Sequence, residues 1–220
     1  MKITKFAQSN FLIETDGKRV LIDPGIFNRE IFGKTKDFFN DIDVIIVTHK
    51  HEDHFDVDSV VSIFMSSHPA IFSTAENVRK LPVSSQIFKV GQEAILNGLK
   101  IKGCFANHHM RWGEFAGEDV DAIGILVEAE GKVLYHTADT VLPMEDLPKA
   151  DLVFVPIGGR NVFTIDEAVE FVKRIKPKIA IPMHYDHPLD KEIKPKELAE
   201  RLKGAGIEVK VLVFGESLEL

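Results

Sequence analysis

Thr48-His49-Lys50-His51-Glu52-Asp53-His54 sets four metal-competent side chains, His49, His51, Asp53 and His54, within six consecutive positions. Imidazole and carboxylate are the donors a divalent transition metal accepts, and neither packing nor solubility asks for this density. A solvated His-rich loop is the competing reading, but such tracts are usually longer and less ordered. The preceding run, Asp43-Val44-Ile45-Ile46-Val47, is short, apolar and β-branched, as expected of a buried strand. The cluster therefore follows a strand end. If extended geometry persists, His49 and His51 point to one side and can share a metal, because side chains two apart lie on the same face. Beyond them the pattern from 56 to 65 has helical spacing, so Asp53 and His54 lie just before a helix, where they can face a second metal. Each zinc wants about four donors, so further ligands must come from elsewhere in the chain.

The rest of the chain limits where to look. With 220 residues, 45% of them hydrophobic, it is long enough for one unit with a sizeable core, expected to span 1–220. A net charge of -7 argues against a general affinity for long nucleic acids, which needs a cationic surface. Small anionic substrates stay open, because a dinuclear centre makes its own cleft locally positive. Cys104 is the sole cysteine, which excludes an intramolecular disulfide, and it falls in an apolar run expected to be packed rather than catalytic. The first residues read as a strand and not a signal segment, and no stretch reaches the ~18 apolar residues of a membrane span. A cytoplasmic protein with no membrane attachment is expected.

Strands are expected at 10–14 and 19–22 around the turn Thr15-Asp16-Gly17-Lys18, and the second ends at Asp23-Pro24-Gly25. Residues 26–40 read as loop. A strand at 69–72 and a short helix opening at Thr74 and stopping before Pro82 follow. Further strands are expected at 87–90, 93–96, 99–106, 122–129, 132–136, 152–156, 178–182 and 209–214, with Asn97-Gly98 as a hairpin turn. Thr164-Ile165-Asp166-Glu167 is a capping box opening a helix to about 175, and Pro195 starts a last helix ending near Gly204.

In α/β arrangements metal ligands gather from loops after different strands. Three such places stand out: Ala106-Asn107-His108-His109, Ala138-Asp139-Thr140, and His184 after Pro182-Met183. Each follows an apolar run, and Asp23 occupies the same kind of strand end.

These residues resemble the metallo-β-lactamase superfamily. His49, His51, Asp53 and His54 meet its His-x-His-x-Asp-His motif in full. Asp23 looks like its early strand-end Asp, Ala138-Asp139-Thr140 like its Gly-Asp-Thr element, and Pro182-Met183-His184 like its last histidine. The Ala106-Asn107-His108 turn is similar to that of its compact branch, related to ascorbate-phosphate lactonases. The resemblance implies an α/β fold, a four-layer αβ/βα sandwich of two facing sheets with helices outside and a metal cleft along one edge. It implies that His49, His51 and His108 bind one divalent ion, Asp53, His54 and His184 another, that Asp139 bridges them, and that Asp23 holds a ligand by a hydrogen bond. His51 is a nitrogen donor suited to zinc, whereas flavin-linked diiron relatives place a carboxylate there; Mn2+ and Fe2+ are also compatible with such donors.

The chain departs from the pattern in two places. His109 adjoins His108 and offers the same chemistry, although His108 is preferred. Ala138 stands where the family usually has Gly, at some cost in backbone freedom. Arg111, Trp112, His109 and Tyr185 are candidates for substrate contact, with His136, Asp186 and His187 also near in sequence; His68 reads as structural. The expected chemistry is hydrolysis, with Asp53 orienting a metal-activated water and accepting its proton. A small ester, lactone or related carbonyl compound is the leading substrate class. A phosphodiesterase or nuclease, and a metal-binding or sensing protein without catalysis, are the alternatives.

Overall fold

Val44-Ile45-Ile46-Val47 is buried along its whole length, which a strand achieves only with something packed on both faces. The structure, a computed structural model, describes residues 1–31, 33, 39–186 and 193–220. Among these residues two seven-stranded sheets account for that burial. The first contains β1 (Lys2–Lys5), β2 (Phe11–Thr15), β3 (Lys18–Ile22), β4 (Val44–Val47), β5 (Ala70–Ser73) and β6 (Gln86–Ile87) in that order, with β14 (Ser217–Glu219) outside β1. The second runs from β7 (Glu93–Leu96) through β8 (Leu99–Phe105), β9 (Ile123–Ala129), β10 (Lys132–His136), β11 (Leu152–Pro156) and β12 (Ile179–Met183) to β13 (Glu208–Val209). Both are mixed: β3 to β6 and β10 to β13 are parallel, and the remaining pairs antiparallel.

Alternation along the strands sorts the core into layers. Val44 and Ile46 join Ile13, Ile22, Ile101, Ile125, Phe154 and Ile181 in one apolar cluster between the sheets. Ile45 and Val47 face the other way, into a cluster with Val60 and Ile63 of α2 (Val57–Ser67). On the second sheet Val153 and Val155 likewise meet Phe171 and Val172 of α4 (Ile165–Ile175) and Leu198 of α5 (Pro195–Arg201). Helix, sheet, sheet and helix give four layers. Thr164 and Glu167 form the expected reciprocal cap of α4. Among the described residues no helix is long and apolar enough to cross a membrane.

Three sequence expectations are corrected. Residues 26–40 contain a single helical turn, α1 (Phe27–Glu30), although 32 and 34–38 lie outside the described residues. The strand expected at 87–90 is reduced to β6, because the chain turns where Lys89 N–H donates to Gln92 Oε1. The strand expected at 209–214 stops after Val209, and the last strand is β14, whose Ser-Leu-Glu has no pattern of its own and is recruited by pairing with β1. The short helix after Thr74, α3 (Ala75–Lys80), stops before Pro82 as expected.

Candidate metal centre

Every proposed ligand follows a strand at one edge of the sandwich. Asp23 follows β3, the His49 to His54 segment follows β4, His108 follows β8, Asp139 follows β10 and His184 follows β12. Asp23, Ala138 and His184 adopt left-handed φ values of 53, 58 and 59°. This region is disfavoured for residues with a Cβ and is concentrated at functional sites. The chain turns so sharply after β3 that a Cβ on Gly25 would lie 1.9 Å from the Asp53 carbonyl oxygen, so only glycine fits.

The side chains converge in two groups. His49, His51, His108 and Asp139 form one, and Asp53, His54, Asp139 and His184 the other, each with its donor atoms within 4.8 Å of one another. His49 Nε2 and His108 Nε2 both lie 3.1 Å from His51 Nδ1. Asp139 Oδ2 is 3.9 Å from His49 Nε2 and from His108 Nε2, and 3.4 Å from His184 Nε2, while its Oδ1 is 3.1 Å from His54 Nε2. Asp53 Oδ2 lies 3.1 Å from His184 Nε2 and 3.5 Å from His54 Nε2. Asp139 is thus common to both groups.

Asp23, fully buried, aims two of these imidazoles. Its Oδ2 accepts from His54 Nδ1–H at 2.7 Å, which leaves the Nε2 lone pair for the cluster. Its Oδ1 and Oδ2 also accept the Thr48 N–H at 2.7 Å and the Thr48 hydroxyl at 2.8 Å. Having given its proton to Asp23, the Thr48 oxygen accepts from His49 Nδ1–H at 3.1 Å and fixes that tautomer too.

Titration divides the site. Burial holds His49 well below the ordinary imidazole range, lowers His51, and pushes His108 down to about 4, so these three rings are neutral lone-pair donors. For His54 and His184 burial acts the same way but is overcome by Asp139 and Asp53: His54 is raised well above its usual value and His184 to about 10. Against their own desolvation, Asp53 is held at about 2 by His54 and His184, and Asp139 well below the carboxylate range by the same pair. Protons here supply positive charge that a cation can replace. His54 Nε2 and Asp139 Oδ1 are buried 3.1 Å apart without a hydrogen-bond partner, a pairing that suits two atoms donating to a cation. The donor set fits divalent ions.

Comparison with known proteins agrees with this geometry. The family model described as the beta-lactamase superfamily domain matches residues 2–184. The chain belongs to the metallo-β-lactamase superfamily. It falls among the superfamily's metal-dependent hydrolases. UPF0173 metal-dependent hydrolases of Pelotomaculum thermopropionicum and Korarchaeum cryptofilum are each 32% identical to it, with both chains covered in full. A solved metallo hydrolase of Ignicoccus hospitalis superposes with a TM-score of 0.81 at 27% identity, covering 100% of this chain and 98% of that one.

The other sequence candidates fare differently in this superfamily member. His108, not His109, joins the cluster; His109 Nδ1 instead pairs with Asp119 at 2.7 Å on the surface. Trp112 is exposed and lines a cavity of about 230 Å³ over both ligand groups. Arg111 does not line that cavity and instead supports the loop. Its guanidinium binds both Glu167 carboxylate oxygens and the Val162 carbonyl, while Asn161 Oδ1 accepts the Arg111 and Trp112 N–H groups. Tyr185 lies away from the cavity too: its hydroxyl donates to the Leu212 carbonyl, and its half-buried ring packs against the outer core of the second sheet with Lys5 Nζ 4.9 Å from its centroid. Buried His136 donates from Nε2 to the Ser9 carbonyl and accepts the Ala138 N–H on Nδ1, holding the turn that carries Asp139. His68 ends α2 in a left-handed cap, Cys104 is raised to about 11 by burial, and His187 lies outside the described residues.

Sequence reasoning missed the turn Gly158-Gly159-Arg160-Asn161, which lines the cavity after β11. The strand-end argument that found Asp139 and His184 would have found it, had glycines been counted with titratable residues. A Cβ on Gly158 would lie 2.9 Å from His184 Nδ1, so this ring needs glycine beside it.

The Lys5–Asp186 pair was missed too. Lys5 Nζ, fully buried, donates to Asp186 Oδ2 at 2.6 Å and to the Phe6 carbonyl at 2.8 Å. Asp186 Oδ1 accepts the Gln8 N–H, and the His184 N–H donates to the Gln8 carbonyl, so the pair seats the His184 turn against the first sheet. Lys5→Met is expected to destabilise the protein by about 3 kcal/mol, since it strands a largely buried carboxylate. Urea denaturation checks this, and a loss below about 1 kcal/mol, the size of a surface pair, would remove the argument.

Proposed function

We propose that the chain is a dinuclear, zinc-dependent hydrolase of a small ester, lactone or related carbonyl substrate, a single cytoplasmic unit spanning 1–220. The observation that carries this is the sharing of Asp139 by two otherwise separate donor groups. His49, His51, His108 and Asp139 would hold one ion, and Asp53, His54, His184 and Asp139 the other. Such a pair supplies a water acidified towards neutrality and a Lewis acid for the substrate oxygen. Of the five imidazoles, Asp23 aims His54 directly and His49 through Thr48. Asp53, ionised because His54 and His184 hold it at about 2, orients the attacking water and accepts its proton. The cavity of about 230 Å³ matches a small molecule, and with a net charge of -7 it disfavours a long polyanion.

The test is a screen of lactones, esters and phosphodiesters against zinc-reconstituted protein, with the metal-stripped form as control. Carbonyl substrates should be cleaved only by the loaded form. Asp53→Asn should lower kcat/KM by about 10²- to 10⁴-fold at an unchanged circular-dichroism spectrum. Undiminished activity in that variant overturns the role of Asp53. Cleavage of phosphodiesters alone favours the phosphodiesterase, and metal binding without any turnover the non-catalytic reading.

A further inference from the structure

Asp53, Arg160 and His184 line two cavities that meet at this shared wall. The first, about 230 Å³, reaches His51, His108 and Asp139 as well and so faces both ligand groups. The second, about 400 Å³, touches only Asp53 and His184 of the proposed ligands and is otherwise walled by Gln8, Ile26, Phe27, Glu30 and Glu52. The reacting group of a substrate therefore belongs in the first lobe, where both donor groups are within reach, and whatever extends past the shared wall enters the second.

The second lobe has a distinct chemistry. Glu30 and Glu52 are exposed carboxylates with no ion pair among the described residues. Gln8 is only 2% exposed, yet its Oε1 accepts no hydrogen bond. A buried amide oxygen without a donor is costly unless a ligand or water supplies one. Ile26 and Phe27 add an apolar, half-buried surface. Arg160, at the waist, has its guanidinium carbon 5.0 Å from the Trp112 ring centroid, a cation–π contact, and lines both lobes. The second lobe therefore joins the Glu30, Glu52 and Asp53 carboxylates and one amide acceptor to an apolar floor, with Arg160 and His184 on the wall it shares with the first lobe.

We propose that this lobe is a substrate subsite selecting a positively charged, N–H-bearing substituent, an amine or guanidine on a small apolar body, with Glu30 and Glu52 as the specificity-determining residues. The proposal rests on the hydrolase reading for what happens in the first lobe, but binding in the second can be measured without turnover. The probes are benzylguanidinium and benzylurea, alike in shape and N–H donors, different in charge, and neither a metal ligand at neutral pH. Calorimetric titration of the zinc-loaded protein should give benzylguanidinium the tighter binding by about tenfold, as two partly solvated ion pairs provide. In Glu30→Gln/Glu52→Gln the two probes should bind alike, at unchanged metal content. Equal binding to the unmodified protein, a preference that survives in the double variant, or no binding of either probe at millimolar concentration would each overturn the proposal. Charge-selective binding with no hydrolysis of any ester, lactone or phosphodiester would overturn the hydrolase reading and leave the subsite standing; hydrolysis without charge selectivity would do the reverse.

Discussion

Asp139→Asn is expected to abolish turnover and to reduce bound metal at both positions, because this one carboxylate belongs to both donor groups. The substitution keeps the shape of the side chain and removes its charge. His54 and His184 then lose the carboxylate that outweighs their burial, and His49 and His108 lose the anion nearest their Nε2 atoms. Loss of a supporting partner around a metal typically costs ten- to a hundredfold in affinity, so loss of a shared ligand should cost at least about a hundredfold at each position. Metal analysis of the purified variant, beside competition titration with a chromophoric chelator, reads this directly. Retention of a full metal complement at unchanged affinity would show that the two groups do not depend on Asp139.

Asp23→Ala should have the largest effect on stability. It leaves the Thr48 N–H, the Thr48 hydroxyl and His54 Nδ1–H buried with no acceptor. At about 1–3 kcal/mol for each stranded group, with some relaxation, the expected loss is about 4 kcal/mol. Function should suffer separately, since both His54 and, through Thr48, His49 lose the contact that fixes their tautomer. Asp23→Asn separates the two effects. Its Oδ1 can still accept from Thr48, which restores part of the stability, but an amide N–H facing His54 Nδ1 favours the other tautomer and turns the lone pair away from the cluster. Urea denaturation of the metal-free forms and metal affinity of the loaded forms should therefore rank the two variants differently. Equal losses in both measurements would mean that Asp23 only fills space.

Much of this was legible in the chain because it depends on neighbours in sequence. Strand β4 is recognisable from Val44-Ile45-Ile46-Val47, and its burial on both faces follows from having no polar residue at either parity. The capping box at Thr164 and Glu167 and the helix it opens are equally local. The strands that could not be read, β6, β13 and β14, are two or three residues long and owe their form to a partner strand.

At the site the same division holds. His49, His51, Asp53 and His54 are close because the backbone between them is short, but β4 ends at Val47 and the chain bends at His49 and Lys50, so it is the turn and not strand alternation that groups His49 with His51. That metal-competent residues stand after β8, β10 and β12 was also visible in the sequence, since an apolar run that stops at a polar residue is a local signal. The family resemblance implied His108 and a shared Asp139, and the tertiary structure brings both into the cluster; it alone decided that Arg111 and Tyr185 support other parts of the fold. It also joined Lys5 to Asp186 across 181 positions and placed Glu30 and Glu52 beside a cavity shared with Asp53. The physical reason is that local sequence specifies backbone conformation and the side to which residues point, whereas a donor set or a cavity wall is made by sheets packing face to face, and the distances across that packing are written in no single segment.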